Sequence, residues 1–475
     1  MKRFIALFLS CLLIMSLALT GCGKRDNNPS KPNTPTKSAD DNKKTDHAAT
    51  VTDAPKDTVI NVFAPTDEVP KLVKEYKERH PDFKYTIKDF TFSTADVSYQ
   101  SALDECLAAG REDAPDIYTA ESSFVMKYTK GEQAKCAVPY EELGIDVNNL
   151  VKEADIAQYS IDIGTNPEGK IIGLGYQGTG GAFIYRRSIA KSVWGTDDPA
   201  TIKDKIGPGW DKFFNAAADL KAKGYGILSG DGDLWDCYKY SSDTPWIMNG
   251  QLNIDPKRVA SFDHFKKLRD KGYSNNTLDW TDEWYADMKG TGKKQILGFF
   301  GPAWMINYVI KGHSGGDKIG KGTYGDWAVC EPPVGFFWGG NWVFANKNSN
   351  NIDVLGDIIK WMTLDTSNTG LQYLWATGTL DVNSNEKDAV TSGTVMKNSD
   401  GKLDILGGQN MLEVFNQAGK LANGKNSTEL DESLNTYWLD QVREYASGKK
   451  SKEKAIADFK KNVKDNLNIS NMSYK

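Results

Sequence analysis

Thirteen tryptophans occur in the 475-residue chain, and several stand beside glycines or polar turn residues instead of inside apolar runs. In Trp338-Gly339-Gly340-Asn341-Trp342, two glycines leave the Trp338 indole on bare backbone. Trp304 follows Gly301-Pro302-Ala303 at the end of an apolar run, and Trp235-Asp236 follows Asp231-Gly232-Asp233. Trp246 and Trp438 complete the aromatic candidates. A flat ring of this kind covers the C–H face of a sugar, while carboxylates, amides and phenols take up the hydroxyls at its rim. The polar candidates are Asp67 and Glu68 after the first strand, Glu121 after the third, Tyr176 and Gln177 in a glycine-rich run, Asn341, and Asp236. Each has a plainer reading. Large aromatics usually pack in cores, and Trp194, Trp210 and Trp361 fall in helical patterns that assign them there. Asp67 is equally placed to cap a helix, and Arg187 to pair with a surface carboxylate.

Other chemistries lack their residues. There is no P-loop. His47, His80, His264 and His313 are scattered, so a metal hydrolase has no ligands at the needed spacing. Asp381-Val382-Asn383-Ser384-Asn385 begins like a calcium loop, but Glu386 stands where that loop needs glycine and Ser392 where it needs its last glutamate. It reads as a polar turn. A glycoside hydrolase needs two carboxylates about 5 to 9 Å apart. With 63 acidic residues such a pair can always be named, so this test does not discriminate. The balance of 58 basic against 63 acidic residues gives −5, and no basic run is flanked by aromatics, which argues against nucleic acid. No cofactor is expected. No cysteine pair has C-x-x-C spacing, so Cys106, Cys136, Cys237 and Cys330 permit at most two disulfides or buried thiols.

The elements that must position these residues are legible in the periodicity. Thr58 to Phe63 is an apolar strand, and Val69, Leu72, Val73 and Tyr76 then recur at helical spacing until Pro81 ends the pattern. Phe83 to Phe90 alternates as a second strand, Val97 to Leu107 is helical, and Ala114 to Thr119 is a third strand. Strand, helix, strand, helix, strand points to an α/β fold with a parallel sheet, whose ligands bind at the carboxyl ends of the strands. Lys170 to Tyr185 is strand-like with glycines in its middle. Helices are expected at Trp210 to Lys223 and Lys257 to Lys271, strands at Ile296 to Phe300 and Tyr324 to Val329, and helices at Ser433 to Tyr445 and Lys452 to Leu467. The body of about 420 residues exceeds one core, so two domains or lobes are expected.

The N-terminus reads as an export signal. Lys2 and Arg3 precede an apolar run from Phe4 to Leu19, and Leu19-Thr20-Gly21-Cys22 resembles the bacterial lipobox. Residues 1–21 are then the lipoprotein signal peptide and Cys22 the lipid attachment site. Residues 22–57 are polar, with Asn, Pro, Thr, Ser, Lys and Asp, and read as a disordered tether reaching roughly 30 Å. No later segment has the ~20 apolar residues of a membrane span.

In their order and spacing these segments resemble one family, the extracytoplasmic solute-binding proteins of carbohydrate ABC importers, the maltose-binding-protein-like group. The resemblance rests on Val59 to Phe63 leading into Thr66-Asp67-Glu68, Ala114 to Tyr118, Gly169 to Tyr176, Ile184 to Arg187, Trp210 to Phe214, Gly301 to Trp304, and Tyr437-Trp438 with Ala446-Ser447-Gly448. It covers about Thr58 to Leu467. It implies a type II periplasmic-binding-protein fold, with an N-lobe of residues 58–175 and 341–380 and a C-lobe of 176–340 and 381–475. Chain crossings would lie near Gly175 to Thr179, Gly339 to Phe344 and Gly378 to Val382. The implied function is that of a non-enzymatic, lipid-anchored monomer on the outer face of the cell membrane. It would capture an oligosaccharide in the interlobe cleft, close about the hinge, and deliver it to ABC transporter permease subunits. The rivals are the same fold binding a peptide, polyamine, metal or organic anion, and an exported glycoside hydrolase. An anion binder would carry Arg or Lys at helix N-termini facing the cleft. The strand-end loops carry Asp, Glu, Gln and aromatics, which favours a neutral polyol or a cation.

Overall fold

The computed structural model describes residues 59–91, 97–109, 114–467 and 469, all within one compact unit, Pro55–Lys475. The expected signal, Cys22 and the tether lie outside the described residues.

The chain opens with β1 (Val59–Ala64), α1 (Glu68–Arg79), β2 (Thr86–Thr91), α2 (Val97–Ala109) and β3 (Ile117–Glu121). α1 forms as its spacing predicts: Val69, Leu72, Val73 and Tyr76 are buried on one face. Pro70 falls in the first turn, where no amide proton is needed. β1 pairs in parallel with both β2 and β3. β4 is only Leu174–Gly175, and β5 (Ala182–Arg186) begins a second sheet. The long strand expected across 170–185 is therefore interrupted. Next come α3 (Trp210–Ala222), α4 (Gly232–Tyr240), α5 (Pro256–Asp270), β6 (Gly298–Gly301) and β7 (Trp327–Cys330). β6 and β7 flank β5, both antiparallel to it. β7 starts three residues later than expected.

β8 (Asn341–Ala345) then returns to the first sheet and inserts between β3 and β4, antiparallel to both, giving the order β2-β1-β3-β8-β4. The sheet is mixed and not purely parallel. A strand that re-enters from another part of the molecule needs no crossover helix and can run in the opposite direction. α6 (Ile352–Thr363) covers this sheet, and α7 (Asp431–Ala446) and α8 (Lys452–Leu467) pack into a second, C-terminal core that also takes in side chains of β5, β6 and β7.

Two aromatic candidates belong to that C-terminal core, which corrects the sequence reading. Trp246 and Trp438 have no exposed surface and pack edge-to-face with centroids 5.5 Å apart. Trp438 also meets Phe262 and Phe459, and its indole N–H donates to Ser261 Oγ (3.1 Å). Trp246 donates to Asn435 (2.9 Å). Trp361 is core, packed with the first sheet, while Trp194 and Trp210 are half-buried at the margin of the C-terminal core. Cys136, Cys237 and Cys330 are buried thiols.

Candidate functional site

Three chain segments lie side by side between the sheets. Gly178 and Thr391 amides donate to the carbonyls of Ala389 (2.9 Å) and Tyr176 (3.2 Å), and Trp338 and Gly181 amides donate to those of Thr179 (3.0 Å) and Phe336 (2.9 Å). Residues 176–181 thus run between 336–338 and 389–391. This pairing brings Tyr176, Gln177, Trp338 and Asn341 together with Glu68, at the start of α1.

Glu68 is the centre of the polar group. Its Oε1 accepts from the Tyr176 hydroxyl and from Gln177 Nε2 (3.1 Å). Burial raises the Glu68 carboxyl above its ordinary range, and the Tyr176 hydrogen bond opposes that rise. Tyr176 is fully buried; burial first, then the charge of Glu68, pushes its phenol well up, and the nearby Asn341 amide opposes that rise. Asn341 lies opposite Glu121 in the β3–β8 ladder. Glu121 in turn accepts from the Ser122 hydroxyl (2.6 Å) and the Ser123 amide (2.9 Å).

Beside this group stands a wall of three indoles. Trp304 donates its N–H to the Trp338 carbonyl (3.1 Å), with the rings edge-to-face at 4.9 Å. Trp280 lies parallel to Trp304 at 6.4 Å and edge-on to Trp338 at 6.1 Å. The two glycines after Trp338 are required: their φ values are +76° and +95°, and a Cβ on Gly340 would come within 2.9 Å of Thr179 Cγ2. Trp280 is itself left-handed (φ +63°) and 53 % exposed. Tyr308 lies one turn beyond Trp304, and burial and then the Glu68 charge raise its phenol.

On the far side of Glu121 a cleft of about 350 Å³ is lined by Ser122, Ser123, Trp235, Lys239, Tyr240 and Glu432, among others. The Lys239 ammonium lies 5.2 Å from the Tyr240 ring centre. Asp236 is buried beneath, its carboxyl pushed up to about 7 by burial.

Of the sequence candidates, Glu68, Tyr176, Gln177, Asn341, Trp304 and Trp338 converge, Trp235 lines the adjoining cleft, and Glu121 precedes the cleft-lining Ser122 and Ser123. Asp67 stands apart: it occupies the N-cap position of α1 without a capping bond and pairs with Lys71 (2.6 Å) in solvent. Asp236 is beneath the cleft, and Trp246 and Trp438 are core. Trp280 and Tyr308 escaped the sequence reading. Asp279-Trp280-Thr281-Asp282, a tryptophan in a polar turn before a helix, carried the same cue as Trp235-Asp236. Among the described residues, no group of three or more His, Cys, Asp or Glu side chains is arranged to hold a metal. Nor is any helix long and apolar enough to cross a membrane.

A family model described as bacterial extracellular solute-binding protein matches residues 71–398, more than half of the chain. The chain belongs to that family. No curated protein matches this solute-binding protein significantly. Solved structures do, over most of its length. One is an extracellular solute-binding protein family 1 member (TM-score 0.69, 18 % identity, 86 % of this chain and 99 % of the other). A second is the galacto-N-biose-/lacto-N-biose I-binding protein of an ABC transporter from Bifidobacterium longum, in complex with lacto-N-biose (0.63, 15 %, 89 % and 100 %). A third is the sugar-binding protein MalE from Xanthomonas citri (0.64, 14 %, 86 % and 96 %). The two-lobed α/β fold is common to them.

Proposed function

We propose that this solute-binding protein captures a sugar, most simply an oligosaccharide, and hands it to an ABC importer without chemical turnover. The observation that carries the reading is the convergence of Trp280, Trp304 and Trp338 beside the hydrogen-bonded Glu68–Tyr176–Gln177 group and the Asn341 amide. Indole faces suit the C–H side of a pyranose, and the polar group suits its hydroxyls. Structural relatives whose names include bound sugars support the same ligand class. The adjoining cleft at Glu121 and Trp235 gives a longer ligand room to extend.

In this reading the lobes close about the three paired segments. Residues 388–392 then serve as the third crossing, in place of 378–382: Ala389 and Thr391 bond to the 176–178 segment, while the Asp381–Asn383 turn packs against α1. The C-lobe's last part then begins near residue 392. The protein acts as a monomer, exported by residues 1–21 and held on the outer face of the cell membrane by lipid on Cys22, with residues 22–57 as tether. A thermal-shift screen against mono- and oligosaccharides tests the ligand class. A ligand bound only by the folded state at a hundredfold excess over Kd stabilises by about 2.7 kcal/mol. A shift with one linkage series and no new product on chromatography supports the carrier. A flat panel removes the sugar reading, and a hydrolysed product removes the non-enzymatic one.

A further inference from the structure

The polar end of the site has acceptors without donors. Glu68 receives both of its side-chain hydrogen bonds on Oε1, and among the described residues no donor reaches its second oxygen. Asp388 is 3 % exposed and accepts only the neighbouring Ala389 amide (2.7 Å), on one oxygen. Asn307 and Asn341 each bury a side-chain oxygen that has no donor. Turning the Asn307 amide over does not cure this, because its nitrogen is held by the Lys387 carbonyl (2.8 Å), next to Asp388.

Positive charge is missing as well. Lys71 is taken by Asp67 (2.6 Å) and Lys311 by Glu386, while Lys387 faces Asp400 (3.6 Å). Neither Glu68 nor Asp388 forms an ion pair among the described residues. Burial raises both carboxyls, and the charges of Glu68 and Glu386 help push Asp388 up to about 8. Tyr308, half-exposed, feels Glu68 and Asp388 together.

Resting on the sugar reading above, we propose that the ligand is an amino sugar, whose ammonium docks on Glu68 with Asp388 behind it and the faces of Trp304 and Tyr308 alongside. An ammonium brings three donors, no acceptor and one positive charge. Those are what the four unfilled oxygens and the two unpaired carboxyls lack. A hydroxyl brings one donor and asks for donors in return, and a uronic acid or sugar phosphate brings charge of the wrong sign. Aromatic faces beside the carboxyls add cation–π attraction. Because the ammonium favours ionised carboxylate, a proton leaves the Glu68–Asp388 pair for solvent on binding, and affinity rises from pH 5 to pH 7.

The test is calorimetric titration of the purified protein with sugars that differ only at C2: glucose, galactose and mannose against their 2-amino forms, and cellotriose against the β-1,4 glucosamine trimer and its N-acetylated form. The ammonium member should bind about tenfold tighter than its hydroxyl and N-acetyl counterparts at pH 7. Its heat should depend on the ionisation enthalpy of the buffer, as proton release requires. Asp388→Asn, folded by thermal melt, should bring the ratio close to one. If the hydroxyl or N-acetyl member binds as tightly or tighter, the inference is overturned and the sugar reading stands. If no sugar of either kind binds, both fall.

Discussion

Trp304→Ala separates a ligand-facing indole from a packing one when it is set against Trp438→Ala. The first change removes two ring pairs, at 4.9 Å to Trp338 and 6.4 Å to Trp280, and the N–H bond to the Trp338 carbonyl. Ring pairs are worth about 0.5–1.5 kcal/mol each, and a hydrogen bond about 1 kcal/mol. The fold therefore loses about 2–4 kcal/mol. Trp438 has no exposed surface and three aromatic neighbours within 5.5 Å. Its truncation costs about 3–5 kcal/mol by cavity formation. The two variants thus lose comparable stability, and affinity distinguishes them. Truncating a central tryptophan of a binding site costs roughly 2 kcal/mol, or about 30-fold in Kd. Titration of the best sugar, below both melting temperatures, should show that loss for Trp304→Ala and less than a twofold change for Trp438→Ala. A folded Trp304→Ala with wild-type affinity, or equal losses in both, refutes the assignment of the wall.

Tyr176→Phe should weaken ligand binding about tenfold in the same titration, because Glu68 loses the buried hydroxyl that orients it. Gly340→Ala should lower stability by about 1 kcal/mol or more in denaturant unfolding, and affinity with it, since φ is +95° and the new Cβ crowds Thr179. The raised Asp388 carboxyl makes the native state hold a proton that the unfolded chain has released between about pH 4 and 8. Stability from this group therefore falls as pH rises through that window, by up to about 1.4 kcal/mol per unit. Melts of Asp388→Asn should show a shallower decline than wild type from pH 5 to 7.

Much of the first sheet was legible because periodicity and burial coincide there. Val69, Leu72, Val73 and Tyr76 all face the core, and Pro81 follows the helix end. The two helices at the C-terminus were legible for the same reason. In the site, Trp338 and Asn341 were marked by the glycines between them, and Glu68, Tyr176 and Gln177 by their places at a strand end and a glycine-rich crossing. Burial of a single aromatic was not legible. Trp246 and Trp438 have local sequences no more apolar than Trp304, and they become core only because α5 and α8 supply Phe262 and Phe459. Tyr308 lies on a π-helical turn, Ile306–Ile310, whose spacing departs from the 3.6-residue pattern that sequence reading relies on. Asp388 becomes part of the site through the pairing of 389–391 with 176–178, a long-range register that no local pattern encodes.

A crystal structure of the protein with its best-binding sugar would show directly which side chains hold the ring. A ring face should lie on Trp304, with Trp280 and Trp338 beside it, and a ligand donor should come within hydrogen-bond reach of Glu68. A sugar seated only in the cleft by Lys239 and Trp235, leaving Trp304 and Glu68 untouched, would contradict this assignment.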